Sequence, residues 1–567
     1  MSFDQTFRQQ LKIHPRFAVQ FISLLVGSYG VYIIADSLLA QISAHRTSHL
    51  TTLLVDLPIL VGISVIYLSN LLRRRKRTAW IVTSLAYIFY FGVGVSQLVS
   101  HSFEDMGWIS ILRSLIVPIL IIGLLYLFRN EFIVKSDILG FRFALRFVII
   151  VLTIMLIYGV AGFELMDTKD FHQEISWPSA FHYTIDQFNL TTNKPIMPHT
   201  KRAHLFVDSL SFVSLLSILY IGLSLFQPLK QRFTDQTFNR EKAKMLLNEY
   251  HPVSEEYFKI WPRDKQFYFD DQSKSMLAYH VYRSVALVLS DPIGNESKFK
   301  QLLSGFQSLC FLNDWLPAMV HVSDKNLKLY EKNGFSNQLI GQEAIVDLSK
   351  FESIVKSNKY FRNISNKFNK QGYTFELLNP PHHDAILNRL KIISKEWLSK
   401  GGRTERGFAM GFFSNEYMQM CQIAVVRDAA STIQAFSNLV PAHFDKNEAT
   451  YDLFRQSSSS QSNVNDFLLI NLIGYLKGQK YKKLNMGLSP LAGIDEIEQD
   501  KQTIINNFLK FAYYNGDIFY SFEGLYKFKA KYEPDWRNKY VAYKNGLTGF
   551  SRTMSALTRC MTKLAKK

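Results

Sequence analysis

Apolar positions are spread unevenly along the chain. Before about residue 228 they form long unbroken runs; after it they alternate or recur at helical spacing. Six runs, about Phe17–Leu39, Leu50–Leu72, Ala79–Ser100, Trp108–Phe128, Phe143–Leu165 and Leu205–Phe226, have roughly the 18–25 residues that cross a hydrocarbon core. Each predicts a helix, because in lipid a lone segment satisfies its backbone groups only as a helix. The first run is long, lacks a small-residue cleavage site and is followed by further runs, which argues against a cleavable signal.

Basic residues orient these spans. Arg8, Lys12 and Arg16 precede the first, and Arg73–Arg77 follows the second. Arg129, Lys135, Arg142 and Arg146 separate the fourth from the fifth; Lys230, Arg232, Arg240, Lys242 and Lys244 follow the sixth. All four clusters fall on one side of a six-span arrangement, which predicts a multi-pass domain over 1–228 with both termini cytoplasmic. Asp36, Asp56 and Arg113 lie near span ends, an interfacial placement rather than a proton relay.

Residues 229–249 read as a charged connector. Beyond it, Ser275–Tyr282 and Val285–Leu289 predict a hairpin around Arg283-Ser284. Helical spacing over Ser297–Cys310, a strand Ala318–Val322 and a helix Asp324–Asn333 ending at Gly334 follow. A second series runs from strand Thr374–Leu378 through helix Asp384–Leu398, strands Gln422–Val426, Thr432–Leu439 and Thr450–Phe454, and helix Val464–Gly478 to strand Lys483–Met486. Two mixed α/β units in tandem, 250–365 and 366–545, fit this better than one large sheet, with 546–567 as a basic tail. The polar loop Gln456–Asn463 separates two strongly patterned elements, where a site loop belongs.

Composition narrows the partners. The chain has 567 residues, 47% hydrophobic and 20% charged, which excludes a disordered chain. Three distant cysteines without a CxxC pair argue against a disulfide framework and a thiolate zinc site. The net charge of +18 favours acidic substrates, anionic lipid or nucleic acid. Residues 526–567 carry eleven Lys or Arg against Glu533 and Asp535, with Lys527, Lys529 and Lys531 among Tyr526, Phe528 and Tyr532. Such a strip suits tRNA or the anionic inner leaflet, and near a membrane it is also ordinary positive-inside bias.

Candidate chemistry is sparse. His382-His383-Asp384 follows two prolines and reads first as an exposed helix start. No HExxH spacing implies a metal, and no G-x-S-x-G implies a serine hydrolase. Asp452-Leu453-Phe454-Arg455 puts opposite charges near a strand end before the polar loop; Asp466 begins the next helix, where acids are favoured anyway. Glu405-Arg406-Gly407-Phe408 sits in a glycine-bearing loop.

Leu329–Phe335 resembles the helix-to-strand turn of GNAT-type acyltransferases. The pyrophosphate loop of that fold has no match: Thr404–Ala409 comes nearest and has Thr where Arg or Gln is needed. A CoA thioester is therefore not the expected donor. Over about 250–545 the chain resembles the bacterial phosphatidylglycerol lysyltransferases, the multiple peptide resistance factor family. The strings that carry this, in shared order, are Tyr279–Tyr282 leading to Leu289–Gly294, Leu329–Phe335, Glu396–Leu398, Glu405–Phe408, Tyr451–Arg455, Asn485–Leu491 and Phe528–Tyr532 with Pro534 and Trp536.

The resemblance implies a multispan α-helical membrane domain joined to a cytosolic α/β domain of tandem GNAT-like units. It implies transfer of an aminoacyl group, most often lysyl, from aminoacyl-tRNA to phosphatidylglycerol at the cytoplasmic membrane of a bacterium, without cofactor or metal. Resistance to cationic antimicrobial peptides would follow. The roles expected are Asp452 and Arg455 in catalysis, and Glu405 and Asp466 on the aminoacyl group. Arg406, Lys529, Lys531 and Arg537 are expected on tRNA or lipid phosphate. Self-association is left open, and DNA has no part.

Two departures stand out. Ser462–Asp466 lacks the family's usual proline and glycine and has Asn465 before the aspartate. The chain also resembles the shorter members, without an additional flippase block. Alternatives are a tRNA-dependent transferase for another envelope acceptor, or a non-catalytic membrane scaffold with a degenerate transferase domain.

Overall fold

The computed structural model describes residues 15–43, 57–100, 111–135, 138–166, 168–188, 198–224, 237–400, 403–442, 447–493 and 522–563. They form two compact units, before and after about residue 230.

In the first unit each predicted apolar run overlaps a helix among the described residues, with 50–56, 108–110 and 225–226 of those runs lying outside them: α1 (Pro15–Ser43), α2 (Leu57–Arg73), α3 (Arg77–Ser100), α4 (Val117–Leu127, after a π-turn at Leu112–Ile116), α5 (Ile138–Glu164) and, after α6 (Trp177–Phe188), α7 (Lys201–Ser224). Three stretches, Phe17–Leu39, Arg77–Ser96 and Leu145–Glu164, are long and apolar enough to cross a membrane; Val61–Arg73 and Ser114–Leu127 are apolar but shorter. Helices α1 and α2 approach closely because small residues line their contact. A Cβ on Gly30 would lie 2.8 Å from the Gly62 carbonyl oxygen, and one on Gly62 2.8 Å from that of Gly30. Phe89 on α3 and Ile157 on α5 turn outward, as lipid-facing side chains would.

The second unit opens with α8 (Thr237–Tyr250) and is built on one sheet. Its strands are β1 (Gln266–Phe269), β2 (Ser275–Tyr282), β3 (Val285–Leu289), β4 (Ile293–Gly294), β5 (Leu316–Ser323), β6 (Ser336–Asp347), β7 (Thr374–Leu378), β8 (Ile423–Arg427), β9 (Ile433–Leu439), β10 (Glu448–Gln456), β11 (Lys483–Pro490) and β12 (Asp535–Tyr543). The order across the sheet is β1-β2-β3-β5-β12-β6-β11-β10-β9-β8-β7, with β4 beside β2. The tandem reading is corrected here: the two series share one sheet and exchange their last strands. Strand β6 ends the first series yet pairs with β11, and β12 ends the second yet pairs with β5. The antiparallel pair β12–β6 joins them at the centre.

Each series repeats one plan. Antiparallel strands are followed by a helix, α9 (Phe299–Leu312) or α14 (Val464–Gly478), then a strand parallel to the last, giving β3–β5 and β10–β11. A second helix follows, α10 (Leu327–Lys332) or α15 (Phe522–Ala530), with the exchanged strand after it. The repeat extends to side chains: Tyr330 donates to Asp291 at 2.9 Å, and Tyr532 donates to Asp466 at 2.7 Å. Between the series lie α11 (Leu348–Ser357) and α12 (Lys359–Lys370), and α13 (Asp384–Ser399) follows the first strand of the second series.

Helix α14 carries an almost unbroken apolar run because it is enclosed. Val464, Phe467, Leu468, Leu469, Leu472, Ile473 and Leu476 are all buried, each stabilising by roughly 1.5–3 kcal/mol. The C-terminal segment is no free tail: α16 (Gly546–Lys563) buries Phe550, Thr553, Ala556, Leu557 and Cys560 against the sheet.

Candidate active site

Strands β10 and β11 pair in parallel only over 448–450 and 483–485. Past Thr450 and Asn485 they part. Strand β10 stays with β9 through an irregularity between Tyr451 and Phe454, while β11 follows β6 through another between Asn485 and Leu488. The strands so open a wedge. Asp452 lies two residues beyond the split on one strand, and Gly487, at φ +78°, two residues beyond it on the other.

Asp452 is held by one oxygen. Its Oδ2 accepts from the Gly411 amide and the Tyr417 hydroxyl, each at 2.9 Å. Tyr417 is itself fixed by stacking on Trp261 at 5.4 Å. Burial pushes the Asp452 carboxyl up to about 6, against the opposing pull of these two hydrogen bonds and of Arg455. A group titrating there, with Oδ1 carrying no hydrogen bond among the described residues, can take a proton near neutral pH.

Arg455 is enclosed. It makes a two-pronged ion pair with Glu405, Nη1–Oε1 at 2.8 Å and Nη2–Oε2 at 2.6 Å, donates to Ser394 and stands over the Trp397 ring at 5.1 Å. The two residues expected to meet substrate separately are thus each other's partners. Arg406 is half-buried in the same loop, whose Gly407 amide donates to the Met561 carbonyl at 2.8 Å.

The lysine strip divides. The alternation of basic and aromatic residues reads as one exposed strip, but 522–530 is a helix, and residues two apart on a helix do not share a face. Lys527 stays exposed beside Glu523, whereas Lys529 turns inward. Its Nζ donates to the carbonyls of Gly487 at 2.8 Å and Leu488 at 3.0 Å, clasping the irregularity of β11; burial lowers its pKa to about 7. Lys531 pairs with Asp466 at 2.6 Å, and Asp466 also accepts from Tyr532 and, at 3.0 Å, from Tyr360. Glu405, Asp466, Lys529 and Lys531 are therefore each bonded to partners within the chain. Arg537 remains at a surface, paired with Glu448 at 3.1 Å in a cleft of about 370 Å³ that Lys482, Lys483 and His251 also line.

Sequence reading missed a polar cluster on the centre of the sheet. Lys539 reaches Glu255 at 2.7 Å and Glu343 at 3.3 Å, and His321 joins them. The histidine and the two carboxylates lie close enough to hold a metal, but the Lys539 ammonium stands where a cation would. Burial works to raise the Glu255 carboxyl, yet the ammonium and a hydrogen bond with Glu343 hold it below its usual range. Glu343 is raised by burial and by that neighbouring charge, and burial lowers His321 to about 4. The available signal was a glutamate inside the apolar run Leu339–Val346. His382 precedes α13 as expected but is buried rather than exposed, its Nε2 bonded to the Cys421 carbonyl at 2.9 Å.

Residues 245–543, the whole sheet, match the family described as phosphatidylglycerol lysyltransferase, C-terminal. The chain belongs to the phosphatidylglycerol lysyltransferase family. It is 33% identical over 303 residues to the phosphatidylglycerol lysyltransferase of Bacillus subtilis (strain 168), covering 53% of this chain and 35% of that one. To the Staphylococcus aureus (strain COL) protein of the same name it is 30% identical over 289 residues, covering 50% and 33%. The chain thus spans about a third of the length of these relatives. The crystal structure of the C-terminal domain of a putative lysylphosphatidylglycerol synthetase from Agrobacterium fabrum matches with TM-score 0.50 and 26% identity, covering 57% of this chain and 97% of that one. Against this lysyltransferase family background the altered 462–465 loop finds an account. Asn463 adopts φ +70°, the left-handed conformation that a glycine would supply, and Asn tolerates it better than other side chains.

Proposed function

We propose that this chain transfers an aminoacyl group, lysyl by likeness to its relatives, from aminoacyl-tRNA to phosphatidylglycerol. The observation that carries the reading is Asp452. It is a carboxylate poised near neutrality at the opening of β10 and β11, in a chain of this family. The lipid hydroxyl attacks the ester carbonyl, its proton passes to Asp452, and the ester bond to the ribose oxygen breaks. That oxygen leaves as a hydroxyl, taking the proton back. The donor ester is already activated, so the step needs a proton acceptor and no further energy source. Arg455 and Glu405 act as positioning residues that hold the Asp452 strand and the 403–411 loop. Arg537, with Lys482 and Lys483, meets phosphate.

The first unit is the membrane anchor in this reading, with six spans and cytoplasmic termini. It brings the second unit to the surface where a cytosolic tRNA and a membrane lipid meet. Lysylation turns a headgroup of charge −1 into one of about +1, which weakens the attraction of cationic peptides to the surface. The test is mass spectrometry of lipids from a host that lacks aminoacyl-lipids, with and without this gene. A phosphatidylglycerol species heavier by one lysyl residue is expected. Its absence despite confirmed membrane expression would overturn the reading.

A further inference from the structure

Trp397 lies in the last turn of α13, beside the enclosed Arg455. A second guanidinium, that of Arg403, stands over the same ring at 4.5 Å. The two arginines differ in every other respect. Arg455 is 4% exposed and fixed by Glu405 and Ser394. Arg403 is exposed, and among the described residues its guanidinium makes no hydrogen bond or ion pair. Five donors are thus left on a planar group whose described contact is an aromatic face. We propose that the part of Trp397 under Arg403 is a stacking platform for a nucleobase, that of the terminal adenosine which carries the aminoacyl ester. This rests on the function proposed above and adds a donor-binding residue to it.

Three features favour a nucleotide there. A nucleobase is flat, like the guanidinium it displaces, and stacks on an indole irrespective of its sequence edge. Once displaced, Arg403 has its full fork of donors for the adjoining phosphate. The surrounding charge also selects against a cation such as the lysyl ammonium. The two nearby carboxylates are both engaged: Glu405 by Arg455, and Glu396 by Ser457 Oγ at 2.7 Å and the Ser458 amide at 2.8 Å. Lys400, three residues on from Trp397, and Arg403 are exposed, so the platform presents net positive charge. Its position suits the chemistry, because Arg455 links the ring to Asp452, three residues earlier on the same strand and within its electrostatic reach.

The test uses the full chain in detergent and a trinucleotide ending in 2-aminopurine, whose fluorescence falls on stacking. Wild type is expected to quench it, Trp397→Phe to keep the quench, and Trp397→Leu to lose it. Arg403→Glu, at an exposed position, is expected to weaken trinucleotide binding and flatten its salt dependence. In turnover, Trp397→Leu is expected to raise the KM for aminoacyl-tRNA about tenfold, carrying most of the loss in kcat/KM. Equal quenching by wild type and Trp397→Leu, Arg403→Glu binding as tightly as wild type, or displacement of the trinucleotide by lysinamide would each overturn the platform. Failure of the wild type to make aminoacyl-lipid would instead overturn the proposed function, while the fluorescence still decides the platform.

Discussion

The carboxyl of Asp452 is lifted to about 6 because burial disfavours its charge more than Gly411, Tyr417 and Arg455 favour it. Two consequences follow for this one residue. As a base it works only when ionised, so turnover should fall as pH drops through about 6, with the rest of the profile set by other groups. As a folding element it behaves oppositely. Its folded-state pKa lies above the ordinary 3.8, so its contribution to stability is full below that value and is lost as pH rises through about 6. Asp452→Asn keeps an acceptor for Gly411 and Tyr417 and removes the buried charge. It is expected to abolish aminoacyl-lipid synthesis by at least about a hundredfold. The same change should raise stability at pH 8 by up to about 3 kcal/mol, and by little at pH 4. Denaturation midpoints at the two pH values and a lipid assay check this together; a variant that is both inactive and destabilised at pH 8 would show a structural role only.

At the scale of elements, the wedge depends on the loop 403–411 closing over β10. Gly411 leaves no room for a side chain, since a Cβ would lie 2.3 Å from both Asp452 Oδ2 and Tyr417 Cε1. Gly411→Ala must displace the loop, the tyrosine or the carboxylate. The expected result is a loss of about 1–3 kcal/mol in thermal or chemical unfolding, with activity reduced beyond what the fraction unfolded explains. Wild-type stability and turnover in this variant would show that the loop is not packed as described. Most of these elements were legible in the sequence. The hairpin around Arg283-Ser284, strand Thr374–Leu378 and helix Val464–Gly478 follow from local periodicity and turn residues, and the structure has each where the pattern put it. The basic-aromatic segment was misread because Lys529 is decided by tertiary burial, not by spacing. The pairings Arg455–Glu405 and Lys531–Asp466 join residues 50 and 65 positions apart, and no local pattern encodes such a meeting.

At the scale of the molecule, strand exchange is what the sequence concealed. Each series has the order of elements of a self-contained unit, so a boundary near 365 is the natural reading. Strand pairing is not written in the period of a strand, and a central position is marked only by burial on both faces. Here β6 lies between β12 and β11, and β12 lies between β5 and β6, so each series presents an unpaired edge unless the other is present. That makes the second unit one folding unit despite its duplicated plan. The central cluster adds to this, since Lys539 from the second series is bonded to Glu255 and Glu343 from the first. Expressed alone, 237–371 leaves the Glu255–Glu343 pair without its ammonium, and 372–567 leaves that ammonium buried without a partner; removing one member of a buried pair costs about 3–5 kcal/mol. Added to the lost strand pairing, this exceeds what a half-sized fragment has in reserve. Neither fragment should therefore unfold cooperatively by itself, whereas the two co-expressed should purify as a one-to-one complex with a single sharp transition. A cooperative transition in either lone fragment would mean that the exchange is dispensable and that the halves are domains in the ordinary sense.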